Sequence, residues 1–252
     1  MYSISHLTTS SHYLDCPQKL PAPTDHVDAT KAPTMAPQPP NDIYQYSLHS
    51  AYTAGLRDGG PPVAFLTNHG THGIGYFEAE EDDDDEDTSG PGRPADMIQL
   101  DSVAYTIDAE GNASPADKGE NLPYAAVTVF QPKEKVKVPA GANKKAVREL
   151  FERKSGRNTP ISFLIRGSFK YLSTEQATLW DVRGVIFGFC WPGWQKGVSG
   201  EGLQGVFLSE DKRRGGRAEE FECGGEALVE WGKCGRFHLG FPADEEFEGL
   251  RL

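Results

Sequence analysis

No stretch of about 18 consecutive apolar residues occurs anywhere in the chain, so no helix built from it could span a bilayer. Cysteine is scarce. The four present (Cys16, Cys190, Cys223 and Cys234) form no C-x-x-C pair, which excludes a disulfide framework and a zinc ribbon. Cys223 and Cys234 read as reduced thiols, although a pairing across a hairpin is the alternative. Basic residues are in deficit: the formal net charge is −12, which argues against nucleic acid and anionic membranes as partners. Residues 1–11 lack a basic start and an apolar core, so no secretory signal is expected. These absences point to a soluble chain in a reducing, cytoplasmic setting.

What is present divides the chain into segments. Residues 1–41 are rich in Ser, Thr and Pro and cannot bury enough apolar surface to offset their ordering entropy, so they read as a disordered tail. A sheet domain is expected over 42–135, interrupted by an acidic loop at 78–94 whose like charges repel. A calcium site in that loop is the sharper alternative, but EF-hand spacing is absent. A helical connector follows at 136–160, where Val147, Leu150 and Phe151 repeat at i, i+3, i+4 among Lys and Arg. A second sheet domain covers 161–252.

Short apolar or alternating runs dominate both sheet domains. Met97–Leu100, Val103–Ile107 and Ala125–Phe130 read as strands, and Ser50–Leu56 as a short helix. Ile161–Tyr171, Gly184–Phe189, Gly205–Leu208, Glu219–Cys223, Ala227–Trp231 and Phe237–Phe241 read as one hairpin-rich sheet. The class is α+β, mostly β, with two packed mixed or antiparallel sheets and few helices.

Several segments then occur in a telling order. They are Asn68-His69-Gly70 with Gly73-Ile74-Gly75-Tyr76-Phe77, Leu100-Asp101-Ser102-Val103-Ala104-Tyr105, and Pro123-Tyr124-Ala125-Ala126-Val127-Thr128. Asp181-Val182-Arg183-Gly184 with Gly188-Phe189, Arg214-Gly215-Gly216, and His238-Leu239-Gly240-Phe241-Pro242 follow. Together these resemble the alpha-acetolactate decarboxylase family, whose motifs read roughly H-G…G-L-G-T-F, L-D-G-V-A-Y, P-F-A-V-V-T, N-V-R-G and R-G-G-H. The resemblance implies two sheets around a zinc ion, release of carbon dioxide and acetoin from acetolactate, and a homodimer.

The family's three zinc-binding histidines correspond here to Gln204, Val206 and Arg217. Gln204 and Val206 lie two apart on a predicted strand and so share one face, the geometry that an H-x-H pair uses. Valine has no lone pair and arginine keeps its proton, so zinc is not expected as a cofactor. Asp96 stands for a family glutamate and Glu175 for a substrate-binding arginine, which reverses that charge.

The sequence therefore reads as a repurposed lyase-like scaffold, of a kind suited to secondary metabolism. It would act without metal on a keto- or hydroxy-acid-like small molecule by decarboxylation, isomerisation or cyclisation. Arg217 is the expected electrophile, Asp96 the acid or base, and Gln204 a hydrogen-bonding partner. A surface salt bridge from Arg217 to Glu219 or Glu220 is the bland alternative. Two other functions stay open: the family's own reaction, and a non-catalytic metabolite- or partner-binding role. His69 and His72 are a candidate relocated metal pair, and Trp191 and Trp194 candidate pocket walls.

Overall fold

A computed structural model describes residues 41–78 and 94–252. The tail, most of the acidic loop and the calcium alternative fall outside the described residues. Within them the chain forms two sheets. The first runs β13 (Phe237–Gly240), β1 (Ile43–Tyr46), β6 (Tyr124–Thr128), β2 (His72–Tyr76), β3 (Asp96–Leu100), β4 (Val103–Ile107) and β5 (Ala113–Pro115). The second runs β11 (Gly215–Cys223), β10 (Gly202–Ser209), β9 (Thr178–Trp191), β8 (Ile161–Thr174), β12 (Ala227–Lys233) and β7 (Glu134–Val138). The mostly-β, two-sheet class expected from sequence is the one observed.

Two exchanges cut across the division by chain halves. Phe237–Gly240 does not join the second sheet; it lies parallel to β1 at the edge of the first. Residues 134–138, expected to straddle the end of one domain and the start of a helical connector, form the edge strand β7 against β12. Their alternation of Lys and Glu with Val136 and Val138 suits an edge, where one face is solvated.

The second sheet closes on itself. β11 pairs with β10 through Val206↔Arg217, then transfers to β8 from Ala218↔Thr174 onward, with a register shift between Ala218 and Glu220. Phe169, Phe207 and Phe221 meet edge to face inside this ring. Helix α3 (Lys144–Ser155), capped by the Asn143 side chain, packs Val147, Leu150 and Phe151 onto the same core.

A second core fills the space between the sheets. Ile74, Ile98 and Ile107 of the first sheet meet Val185, Phe187, Val206 and Leu208 of the second. The short helices α1 (His49–Thr53) and α2 (Val63–Leu66) follow β1, and helix α4 (Lys196–Ser199) precedes β10. Helix α4 is tied to the first sheet by two hydrogen bonds, Gln45 Nε2 to Val198 O at 2.7 Å and Ser199 Oγ to Gln45 Oε1 at 2.6 Å. Cys190, Cys223 and Cys234 are free thiols, and Cys223 and Cys234 belong to different cores.

Candidate functional site

The site lies where β11 changes partners. Gly215 and Gly216 precede Arg217, and both places require glycine. A Cβ on Gly215 would come within 2.5 Å of Ile107, and one on Gly216, at φ +146°, within 2.8 Å of Thr174. The bare backbone lets β11 press against β4 and β8, which drives the next side chain, Arg217, into the space between the sheets.

Arg217 and Val206 are direct cross-strand partners, so their side chains share a face. Gln204 is two residues from Val206 along β10 and shares that face too. All three therefore point toward the first sheet, as the resemblance implies. Val206 is fully buried in the inter-sheet core. Gln204 is half-buried and packs its amide against Gly200.

Arg217 is not on the surface. Its Nε donates to Asp96 Oδ1 at 3.1 Å and its backbone N–H donates to Asp96 Oδ2 at 3.0 Å. Nη2 reaches Gly75 O at 3.4 Å. The side chains of Arg217 and Asp96 are 13% and 5% exposed, so this is a buried ion pair. The alternative of a solvent-facing bridge to Glu219 or Glu220 is replaced by a partner 121 residues away in sequence. Sequence reading brought Arg217 and Asp96 into one site, and the structure joins them directly. Gln204 makes no side-chain hydrogen bond to either of them among the described residues.

The cation is framed by aromatic rings that the sequence reading did not single out. The Arg217 guanidinium carbon sits 4.1 Å from the centre of the Tyr76 ring. Tyr52 stacks on Tyr76 at 4.2 Å and 9°, and Arg57 lies over Tyr52 at 5.7 Å. Tyr124 is 6.1 Å from Tyr76 and gives its hydroxyl to Ser199 O at 3.2 Å. His49 meets Tyr124 edge to face at 5.9 Å. The signal for two of these rings was in the quoted motifs: Tyr76 stands at the threonine of G-L-G-T-F, and Tyr124 at the phenylalanine of P-F-A-V-V-T.

Electrostatics fix the protonation states. Burial presses the guanidinium of Arg217 toward neutrality, but Tyr76, Asp96, Tyr124 and Glu175 oppose it and hold its pKa above the ordinary value. It is a permanent cation. Burial raises the phenols of Tyr52, Tyr76 and Tyr124, so all three stay protonated near pH 7. Burial, then the Arg217 charge, lowers His49, which leaves a neutral imidazole. The buried Tyr52 hydroxyl has no hydrogen-bond partner among the described residues, so it is a donor without an acceptor.

The zinc that the resemblance implies does not fit these residues. An amide, an isopropyl group and a guanidinium replace three imidazoles, and two of the three offer no lone pair. Both oxygens of Asp96 already accept hydrogen bonds from Arg217. A dication beside Arg217 would meet a fixed positive charge in a medium that screens poorly.

The other candidates lie elsewhere. His69 hydrogen-bonds Phe65 O through Nδ1 and packs on Tyr44, while His72 contacts Thr71 and Asp101. No group of three or more His, Cys, Asp or Glu is placed to hold a metal among the described residues. Trp191 is buried against Phe189, and Trp194 is 65% exposed with its indole N–H on Asn158 O. Neither tryptophan lines the Arg217 cluster.

Comparison with known proteins supplies the frame. A family model described as alpha-acetolactate decarboxylase matches residues 43–179 and 173–252. The alpha-acetolactate decarboxylase of Klebsiella aerogenes is 24% identical, over 84% of each chain. That of Bacillus subtilis strain 168 is 25% identical, over 73% of this chain and 75% of its own. A crystal structure of acetolactate decarboxylase from Bacillus subtilis subspecies spizizenii superposes with a TM-score of 0.74 at 21% identity, covering 83% of this chain and 94% of that one. A Staphylococcus aureus protein of unknown function, titled as similar to alpha-acetolactate decarboxylase, gives 0.73 at 22%, covering 84% and 94%. With the two-sheet fold, the glycine pair ahead of Arg217 and a family match across nearly all the described residues, this chain belongs to the alpha-acetolactate decarboxylase family.

Proposed function

We propose that this chain is a family member that acts on a small keto- or hydroxy-acid-like metabolite without zinc at the inter-sheet site. The observation that carries the reading is the buried Arg217–Asp96 pair, packed on Tyr76 with Arg217 at a strand position where the resemblance places a metal ligand. Decarboxylation of a β-keto acid pushes an electron pair onto a carbonyl oxygen as carbon dioxide leaves. That oxygen needs a positive group beside it.

Arg217 supplies that charge in this reading. Asp96 holds Nε and the backbone N–H and Gly75 O takes Nη2, which fixes the fork and leaves Nη1 for a substrate oxygen. Because both Asp96 oxygens are engaged, it enters as the orienting anion in place of the acid or base expected from sequence. Gln204 is assigned a hydrogen bond to the substrate from the same face. The unpartnered Tyr52 hydroxyl is the group available to return a proton to carbon, regaining its own from solvent.

The test is release of carbon dioxide from acetolactate and from bulkier β-keto acids by chelator-treated protein, compared with Arg217→Met. Loss of one charge-stabilising donor typically costs about 10²–10³ in turnover, and that loss is expected here for the best substrate. Turnover that is indifferent to Arg217→Met contradicts the reading. Turnover abolished by chelator and restored by zinc favours the reaction named for the family instead. One observation favours a second reading, non-catalytic metabolite binding: the ion pair satisfies itself and is nearly closed to solvent. Saturable binding of keto acids with no turnover of any of them would select it.

A further inference from the structure

The sheets leave a second cleft, of about 610 Å3, at the opposite end of β2 and β3 from the Arg217 cluster. Its wall includes His72, Asp101 and Leu100, whereas the cluster uses Tyr76 and Asp96. His72 and Tyr76 are four positions apart on one strand, which is about 13 Å at 3.3 Å per residue. The two places are therefore distinct.

The floor is apolar, built from Leu100, Leu164, Val185 and Leu208, with the exposed Val103 beside it. The rim carries charges of both signs, and two of its three acids are paired with cations. Glu210 pairs with Arg183 at 3.4 Å and Glu226 with Lys137 at 2.7 Å, while Asp101 projects into solvent 3.7 Å from the His72 ring, which burial keeps uncharged near pH 7. Two cations on the rim, Arg166 and Lys212, have no ion-pair partner among the described residues. Lys212 rests its ammonium 5.2 Å from the Tyr105 ring.

An apolar floor under two unneutralised cations has the chemistry of a receptor for an amphiphilic anion. We propose that this cleft is a second small-molecule site, which takes a monocarboxylate with an apolar body. The Arg166 fork receives the carboxylate, Lys212 adds a second positive charge, and the hydrocarbon part lies on the leucines. The volume falls in the usual range for small-molecule sites, roughly 300–1,000 Å3.

Calorimetric titration of the full chain with 2-naphthoate tests this, with neutral 2-naphthylmethanol as the uncharged comparison. The expected result is one saturating site for the carboxylate, with binding weakened by about tenfold or more for the alcohol and for the Arg166→Glu/Lys212→Glu variant. Both side chains are on the rim, so the variant should fold, and circular dichroism checks that it has. Nuclear Overhauser contacts should run from the naphthyl protons to the methyls of Leu100, Leu164, Val185 and Leu208. Absence of saturation, binding undiminished in the variant, or contacts to Val206 and Tyr76 instead would each overturn the assignment.

Discussion

Separating Arg217 from Asp96 should be among the costliest single changes in the molecule. At 3.1 Å and an effective dielectric near 20, the Coulomb attraction is about 5 kcal/mol. Most of that offsets the cost of taking two charges out of water, so the pair adds little net stability. Removing one partner is different, because it strands the other in a space that is 13% or 5% exposed. Asp96→Leu and Arg217→Met should therefore each cost about 3–5 kcal/mol. That corresponds to a fall in Tm of about 6–20 °C for a chain of this size. The double variant Asp96→Leu/Arg217→Met, with no stranded charge, should lose less than either single change. Urea melts of the four proteins give the coupling energy directly. Single variants that lose under about 1 kcal/mol each and simply add would refute the buried-pair reasoning.

Two further outcomes follow from the same geometry. His49 and His72 both have pKa values held below 6.5, chiefly by burial. The unfolded chain then takes up more protons than the folded one as pH falls through 6.5, so their contribution is intact above that pH and lost below it. Urea midpoints between pH 8 and pH 5 should show the decline, and NMR titration of Arg217→Met should move His49 back up toward 6.5. A flat profile, or a His49 unmoved by the loss of Arg217, would contradict the placement. Restoring imidazoles with Gln204→His/Val206→His/Arg217→His should create a site for one cobalt ion per chain, read from its visible d–d bands. No gain of cobalt binding would show that the three positions do not converge.

Much of the fold was legible because it rests on local pattern. Alternation marked β8, the i, i+3, i+4 spacing of Val147, Leu150 and Phe151 marked α3, and the order of short motifs carried the family. What escaped depends on pairing between distant segments, which leaves no local trace. The four residues of β13 read like any edge strand, and only their register against Ile43–Tyr46 assigns them to the first sheet. β7 was hidden because Glu134, Lys135 and Lys137 around Val136 and Val138 read as solvated connector until β12 is placed beside it. The site was half legible. Arg217, Gln204 and Asp96 came from comparison with a motif, yet charges at Glu219 and Glu220 looked like nearer partners for Arg217. Strand switching at Ala218 turns Arg217 inward to a carboxylate from the other sheet. Tyr76 and Tyr124 were visible as departures from quoted motifs, but their stacking around a cation needed the structure.

The most direct test of the central claim is a crystal structure of the full chain grown with zinc and measured at the zinc absorption edge. The expected result is Arg217 Nε on Asp96 Oδ1, with the guanidinium against Tyr76 and no anomalous peak between Gln204, Val206 and Arg217. An anomalous peak at that position, with Arg217 swung away from Asp96, would contradict it.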